Sequence, residues 1–198
     1  AVCIFVLGFR SSGALGSAIL EKVNNRGLGL STFVSAGNRA DVSGNDLLEY
    51  WENDPATEVV LLYLESFGNP SRFMQIARRL TRRKPVVVVK SGRTEAGARA
   101  ASSHTGSLAG LDVAVDALLG QAGVIRTDTI EQLFDLAMLL ANQPVPRGPR
   151  VAILSNAGGP GIMASDACES HGLIVPPLSA GSESALRTFL PEEASVRN

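Results

Sequence analysis

The chain has 198 residues, 45% of them hydrophobic and 19% charged, with a net charge of −1. That balance belongs to a globular protein with a well-filled core, in one large domain or one domain and part of another. It excludes the basic excess that nucleic acid or an anionic membrane surface requires, and no apolar run reaches the roughly 18 residues that span a bilayer.

The opening "AVCIFVL" (1–7) reads as a buried strand and lacks the charged lead-in of a secretory signal. A helical pattern follows at 13–26, then the strand "STFVSA" (31–36), a helix at 44–52 and the strand "EVVLLYLE" (58–65). A helix at 71–83 leads into "PVVVVK" (85–90). These near-continuous apolar runs suit parallel strands covered on both faces. The basic run "RRLTRRK" (78–84) reads as the solvated face and end of the third helix. After residues 91–110 come a helix at 111–121, the short strand "GVIRT", and a helix at 129–141 opened by Thr129 with Glu131 and Gln132 in its first turn. Five β/α units in alternation predict an α/β fold, a doubly wound parallel sheet. Scarce aromatics and abundant glycine and alanine favour the same close helix-on-sheet packing.

"NQPVPRGPR" (142–150) reads as a linker. A second βα pattern then begins: strand "RVAILSN", helix 160–171, strand "GLIVPPL", helix 181–190. Its 48 residues fall short of the ~100 that a doubly wound domain usually needs. The expected organisation is therefore a first domain over 1–143 and, over 149–198, the N-terminal part of a second, incomplete one. An incomplete sheet exposes strand faces, which leaves homo-oligomerisation open. Cys3, in a strand, and Cys168, in a helix, are expected to be buried, reduced thiols of a cytoplasmic protein.

Ligands of open parallel sheets sit beyond the carboxyl ends of the strands. There the sequence places "GFRSSGALG", "AGNRAD", Glu65 with "SFGNP", Lys90 with "SGRTEAGARAASSHTGSLAG", and "SNAGGPG". Gly-rich turns that open helices present free N–H groups and a positive dipole end to anions. Ser12 and Gly13 form one such start, and Asn156 through Gly161, including Gly158 and Gly159, another. Neither has the Walker A or the dinucleotide spacing.

His104 stands among small and hydroxylated residues. One reading is a loop histidine bonded to backbone. The other is a nucleophile that carries a phosphoryl group, its second nitrogen oriented by a carboxylate, for which Glu65 is the candidate. Two histidines and two thiols show no metal-ligand spacing, and no nucleophile elbow supports a serine triad. His171, at a helix C-terminus, reads as a cap.

Around "KSGRTEAGARAASSHTGSLAG" the sequence closely resembles the nucleoside-diphosphate-forming acyl-CoA synthetases, which include ADP-forming acetyl-CoA synthetases and, more distantly, succinyl-CoA synthetase. The match extends through "SSGALG", "SAGNRADVSGNDLLEYW", "LYLESFGNP", "QAGVIRTDTIEQLFDLA" and "VAILSNAGGPGIMASDACESHGL". "GFRSSGALG" departs from the family's usual Ser-Gln-Ser-Gly approach to the first helix. The resemblance implies two flavodoxin-like domains, the second incomplete. It implies that His104 is the phosphorylated histidine, Glu65 its stabilising carboxylate, and Ser12, Gly13, Gly158 and Gly159 the phosphate-facing helix starts. The whole enzyme would interconvert an acid, CoA and ATP with acyl-CoA, ADP and phosphate through an acyl phosphate. CoA, ATP or ADP and Mg²⁺ belong to that full-length enzyme, none of them to this chain. The CoA-binding Rossmann domain and the ATP-grasp domain would be its partners. The competing reading is the regulatory synthetase-like part of a protein lysine acetyltransferase. Some of those have lost the histidine, so His104 and Glu65 weigh toward catalysis. A noncatalytic flavodoxin-like interaction domain is the third reading.

Overall fold

The computed structural model describes residues 2–7, 12–36, 42–92 and 112–196. The chain divides into two compact units, Ala1–Pro144 and Val145–Asn198.

The first unit is built on five parallel strands: β1 (Val2–Leu7), β2 (Leu30–Ala36), β3 (Val59–Leu64), β4 (Val86–Lys90) and β5 (Ile125–Thr127). Their order, β2-β1-β3-β4-β5, is that of the flavodoxin-like doubly wound sheets. Helices α1 (Ser12–Asn25), α2 (Gly44–Asn53), α3 (Pro70–Leu80), α4 (Asp112–Ala122) and α5 (Ile130–Asn142) complete the unit among the described residues. Each strand and helix lies within a few residues of its expected position.

Burial on both sheet faces explains the strand composition. Val60, Leu62 and Leu64 of β3 and Val86 and Val88 of β4 pack with α2, α3 and α4. The alternate residues Val59, Leu61, Val87 and Val89 pack with Ile19 and Val23 of α1 and Leu133, Phe134 and Ala137 of α5. In α3 the buried set Phe73, Ile76, Ala77 and Leu80 recurs at i, i+3, i+4 and i+7, one stripe of an amphipathic helix.

Local signals set the helix starts at the carboxyl edge. Ser43 caps α2 in a reciprocal box: its hydroxyl accepts from the Asp46 N–H, and its own N–H donates to Asp46 Oδ2 at 2.9 Å. Asn69 caps α3 by accepting from the Arg72 N–H at 3.0 Å, with Pro70 at the first helical position. Thr129 caps α5, accepting from the Gln132 N–H at 3.1 Å, as its sequence position suggested.

The basic run 78–84 serves the opposite ends of the helices. Arg79 pairs with Glu52, Arg83 donates to Asn53, and Lys84 donates to the carbonyls of Trp51 and Asp54, so the charges cap the C-terminus of α2. The helix itself stops at Leu80, three residues before its expected end, and a turn over 81–84 follows.

The second unit contains α6 (Gly158–Ser170) and α7 (Ala180–Arg187). The strands expected at "RVAILSN" and "GLIVPPL" are not formed: among the described residues one isolated parallel bridge joins Arg150 and Ile174. A single bridge does not propagate a ladder, and small sheets gain independent stability only from about three strands upward. Neither α6 nor α7 has a buried residue. Cys168, expected to be buried, is therefore only half-buried, as a free thiol. His171 does form the C-cap of α6: its N–H donates to the Ala167 carbonyl, and its ring Nδ1 lies 2.9 Å from the same oxygen. No helix among the described residues is long and apolar enough to cross a membrane.

Candidate functional site

The strand order reverses between β1 and β3, and ligands of such sheets lie in the crevice beyond the carboxyl ends at that switch point. β3 ends at Leu64 and places Glu65, half-buried, at this edge. Alternation along β3 sends Val59, Leu61 and Tyr63 toward the α1/α5 layer, and Glu65, just past the strand's end, is the next position in that row. Glu65 thus stands on the side of the sheet from which α1 rises at Ser12 and Gly13.

Charge at the helix starts is distributed unevenly. Helices α2, α4, α5 and α7 carry an acidic residue in the first turn: Asp46, Asp112, Glu131 and Glu183. Helices α1, α3 and α6 carry none, and of these α3 has the Asn69 side-chain cap. The N-cap of α6 is Ala157, without a side-chain capping bond, and a Cβ placed on Gly158 or Gly159 would meet nothing within 4 Å. Asn156 is exposed just before it. The helix begins two residues earlier than expected, so Gly158 and Gly159 are its first two residues. Their dipole end has no intrinsic negative partner, which is what an anion site at a helix start needs.

β4 ends one strand away on Lys90, in register with Leu64, and the Ser91 N–H donates to the Leu64 carbonyl at 3.0 Å. Burial pushes the Lys90 ammonium below its ordinary range, the nearby Arg126 charge adds to this, and Asp112 and Glu65 pull the other way. Arg126 forks between Asp112 and Asp116 of α4. Burial works against its charge, and those two hydrogen-bonded carboxylates more than offset it, leaving the guanidinium above its ordinary value. The charges around Lys90 and Arg126 therefore form one neighbourhood that includes Glu65. Sequence reading did not single out Arg126, Asp112 or Asp116; two aspartates four apart on one helix face were the available signal.

A cavity of about 150 Å³ lies beside the carboxyl end of β3, between the starts of α2 and α3. Leu48, Leu62, Leu64 and Phe73, all buried, supply apolar lining, with the half-buried Phe67 ring 4.8 Å from that of Phe73. Polar lining comes from Ser43, Asn45, Asn69, Arg72 and Ser66, whose hydroxyl accepts from the Gly68 N–H at 3.2 Å. Each has a partner in the fold: besides the two caps, Asn45 donates to the Asn69 carbonyl at 3.3 Å, and Arg72 pairs with Asp46 and Glu49. The cavity was not apparent from sequence, because it arises where two caps distant in the chain meet.

His104 lies outside the described residues. Glu65 and the start of α1 share the edge of the first unit; Asn156, Gly158 and Gly159 belong to the second. Among the described residues no group of three or more His, Cys, Asp or Glu side chains is placed to hold a metal ion.

A parallel 2-1-3-4-5 sheet with its polar residues gathered at the carboxyl edge defines a flavodoxin-type ligand-binding domain. The model of the succinyl-CoA ligase like flavodoxin domain matches residues 8–140, and the chain belongs to that family. It is 47% identical over 162 residues to the ADP-forming acetate–CoA ligase I subunit alpha of Pyrococcus furiosus, covering 82% of this chain and 35% of that one. It is 46% identical over 159 residues to the ADP-forming 4-hydroxybutyrate–CoA ligase of Nitrosopumilus maritimus, covering 79% of this chain and 23% of the relative. The structure of Ca. Korarchaeum cryptofilum dinucleotide forming acetyl-coenzyme A synthetase 1, in complex with phosphate and ADP, superposes with a TM-score of 0.88 at 36% identity. That match covers all of this chain and 42% of the other. The chain thus spans well under half the length of these relatives.

Proposed function

We propose that the chain is the phosphoryl-relay part of an ADP-forming acyl-CoA synthetase, in which His104 carries the phosphoryl group. In the direction of ATP formation, phosphate attacks the thioester and CoA leaves, giving an acyl phosphate. A nitrogen of His104 then attacks phosphorus, the bond from phosphorus to the carboxylate oxygen breaks, and the free acid departs. ADP takes the phosphoryl group in turn, and the histidine is restored. Glu65 accepts a hydrogen bond from the other ring nitrogen, which fixes the tautomer and offsets the charge that the ring gains. The helix start at Ser12 and Gly13 meets phosphoryl charge with backbone N–H groups instead of lysines, and the start at Asn156, Gly158 and Gly159 offers the second unit the same kind of phosphate-binding group.

One observation carries this reading: Glu65 stands half-buried at the switch-point edge, on the α1 side of the sheet, in a chain whose relatives include ADP-forming acetate–CoA ligases at 41–47% identity. The CoA-binding and ATP-grasp domains or subunits, with nucleotide-bound Mg²⁺, complete the cycle, and the protein works in the cytoplasm. The chain alone does not catalyse the full reaction.

The test is phosphorylation of the full-length protein, with its partner domains, by γ-labelled ATP and Mg²⁺. The expected label is acid-labile and base-stable, absent in His104→Ala and shorter-lived in Glu65→Gln. An unlabelled wild type, or undiminished label in His104→Ala, refutes the relay; an unchanged lifetime in Glu65→Gln removes Glu65 from its role.

A further inference from the structure

Strand β2 stands at one edge of the sheet, and its outer side pairs with no strand among the described residues. Natural edge strands are guarded by shortness, by charge or by proline, because unpaired N–H and C=O groups invite a second strand. The opposite edge is guarded in that way: β5 has three residues, and Arg126 at its centre holds Asp112 and Asp116. β2 has seven residues, Leu30–Ala36, with no charge and no proline. The helices beside it continue the same character. α1 lies over β1 and β2, with a Cβ built on Gly16 coming 3.4 Å from the Phe33 ring. Lys22 and Arg26 of α1 pair with Glu131 and Asp135 of α5, so the other flank of α1, with Leu20, overhangs β2. On the second face, Asp46, Glu49 and Glu52 of α2 turn to Arg72 and Arg79 of α3. That leaves the flank with Leu47 and Tyr50 toward β2, and Leu47 packs into the same layer as Val34. Leu20, Leu30 and Tyr50 are 39%, 37% and 61% exposed.

We propose that β2 is the interface between two copies of this chain, paired antiparallel across a twofold axis perpendicular to the sheet. The inference is independent of the relay. A twofold contact uses the same patch on both copies, so a patch that carries charge of one sign repels itself. This strand and the flanks with Leu20, Leu47 and Tyr50 carry no charge, which fits the edge to a second copy of itself. With the axis at Phe33, the midpoint of the strand, Thr32 stands opposite the partner's Val34. Opposed residues of an antiparallel pair share a face. α1 therefore comes beside its counterpart on one face, where Leu20 covers the joint, and α2 beside its counterpart on the other, where Tyr50 does. Antiparallel pairing also points the two carboxyl edges in opposite directions, so neither copy obstructs the other's Glu65 edge.

The experiment measures the mass of the full-length protein, with its partner domains, by light scattering, and amide hydrogen exchange along β2. Wild type is expected at twice the mass of one complete complex, with the amides of β2 protected throughout. Leu20→Lys combined with Tyr50→Lys sets like charges on both faces of the joint and should halve the mass. In the halved species the peptide covering Leu30–Ala36 should lose protection at about half of its amides, those that face away from β1. A Trp51 fluorescence transition at the wild-type position shows that the double variant keeps its fold. If the transition shifts, Tyr50→Lys alone, at the more exposed position, takes its place with the same outcomes expected. A wild type at the mass of one complex, or a doubled mass that the variants keep, overturns the assignment. So does β2 protection that persists in the halved species, since another domain of the protein then covers the edge.

Discussion

Leu61 and Leu62 are neighbours on β3, 0% and 1% exposed, and they face opposite helix layers. Truncating either to alanine removes about three carbon groups from the core, a transfer loss of about 2.5 kcal/mol. The rest of the cost depends on the hole left behind, at about 24 cal/mol per Å³, which spreads Leu→Ala losses from about 2.7 to 5 kcal/mol. Leu61 packs in the layer with Val87 and Phe134, and the new void there is enclosed; the expected loss is about 4–5 kcal/mol. Leu62 borders the cavity, which reaches the surface at the exposed Gly68 and Asn69. Space opened there joins a volume that water already reaches, so the expected loss is about 3 kcal/mol. Urea unfolding followed by Trp51 fluorescence measures both. Trp51 is the single tryptophan and is fully buried in the first unit, so its transition reports that unit even if the second unfolds separately. Equal losses, or a larger loss for Leu62→Ala, would refute the view that the cavity is open to solvent.

Gly123 has φ +72°, and a Cβ built there comes within 3.0 Å of Thr81 Oγ1, whereas Gly27, at φ +64°, has nothing within 4 Å. Gly27→Ala should cost about 1–2 kcal/mol from the left-handed backbone alone; Gly123→Ala should cost more, with the excess relieved by adding Thr81→Ala. Urea midpoints of the four chains settle it, and an excess that survives Thr81→Ala refutes the contact. Asp46 has its pKa lowered to about 2, first by the Ser43 hydroxyl, then by the Ser43 N–H, with burial opposing and Arg72 adding to the lowering. A depressed folded-state pKa contributes stability above the ordinary value of 3.8 that is lost as pH falls toward 2. Because the carboxylate is 39% exposed, the contribution is discounted to about 1 kcal/mol or less. The stability gap between wild type and Asp46→Asn should be flat above about pH 5 and close between pH 4 and pH 2; a gap constant to pH 2 contradicts the assignment.

The parts of the fold that sequence reading located are those whose cause is local. β3 and β4 were legible because a strand covered on both faces is apolar at nearly every position, and Thr129 was legible because a cap acts three residues away. The second unit behaves differently. "RVAILSN" has the same apolar look as β3, yet it makes only the Arg150–Ile174 bridge, because a strand exists through its neighbours and composition does not state whether they are there. Cys168 follows the same logic: a thiol in a helical stretch is buried only if that helix packs, and α6 has no buried residue.

The candidate site divides along the same line. The places of Glu65 and the start of α1 were readable because topology sends every strand end of the first unit to one edge, whatever the side chains pack against. The cavity, and the charges shared by Lys90, Arg126, Asp112 and Glu65, were not, because each joins residues from three elements or more. That division has a physical consequence for the proposed relay. Phosphate recognition by backbone N–H groups at helix starts depends on the fold alone and tolerates many side chains, while the shape of the cavity depends on individual residues such as Phe67. The separation is tested directly: Phe67→Ala, which changes the cavity on the α2/α3 side, should leave the lifetime of the phosphorylated histidine as in wild type, and a shortened lifetime contradicts it.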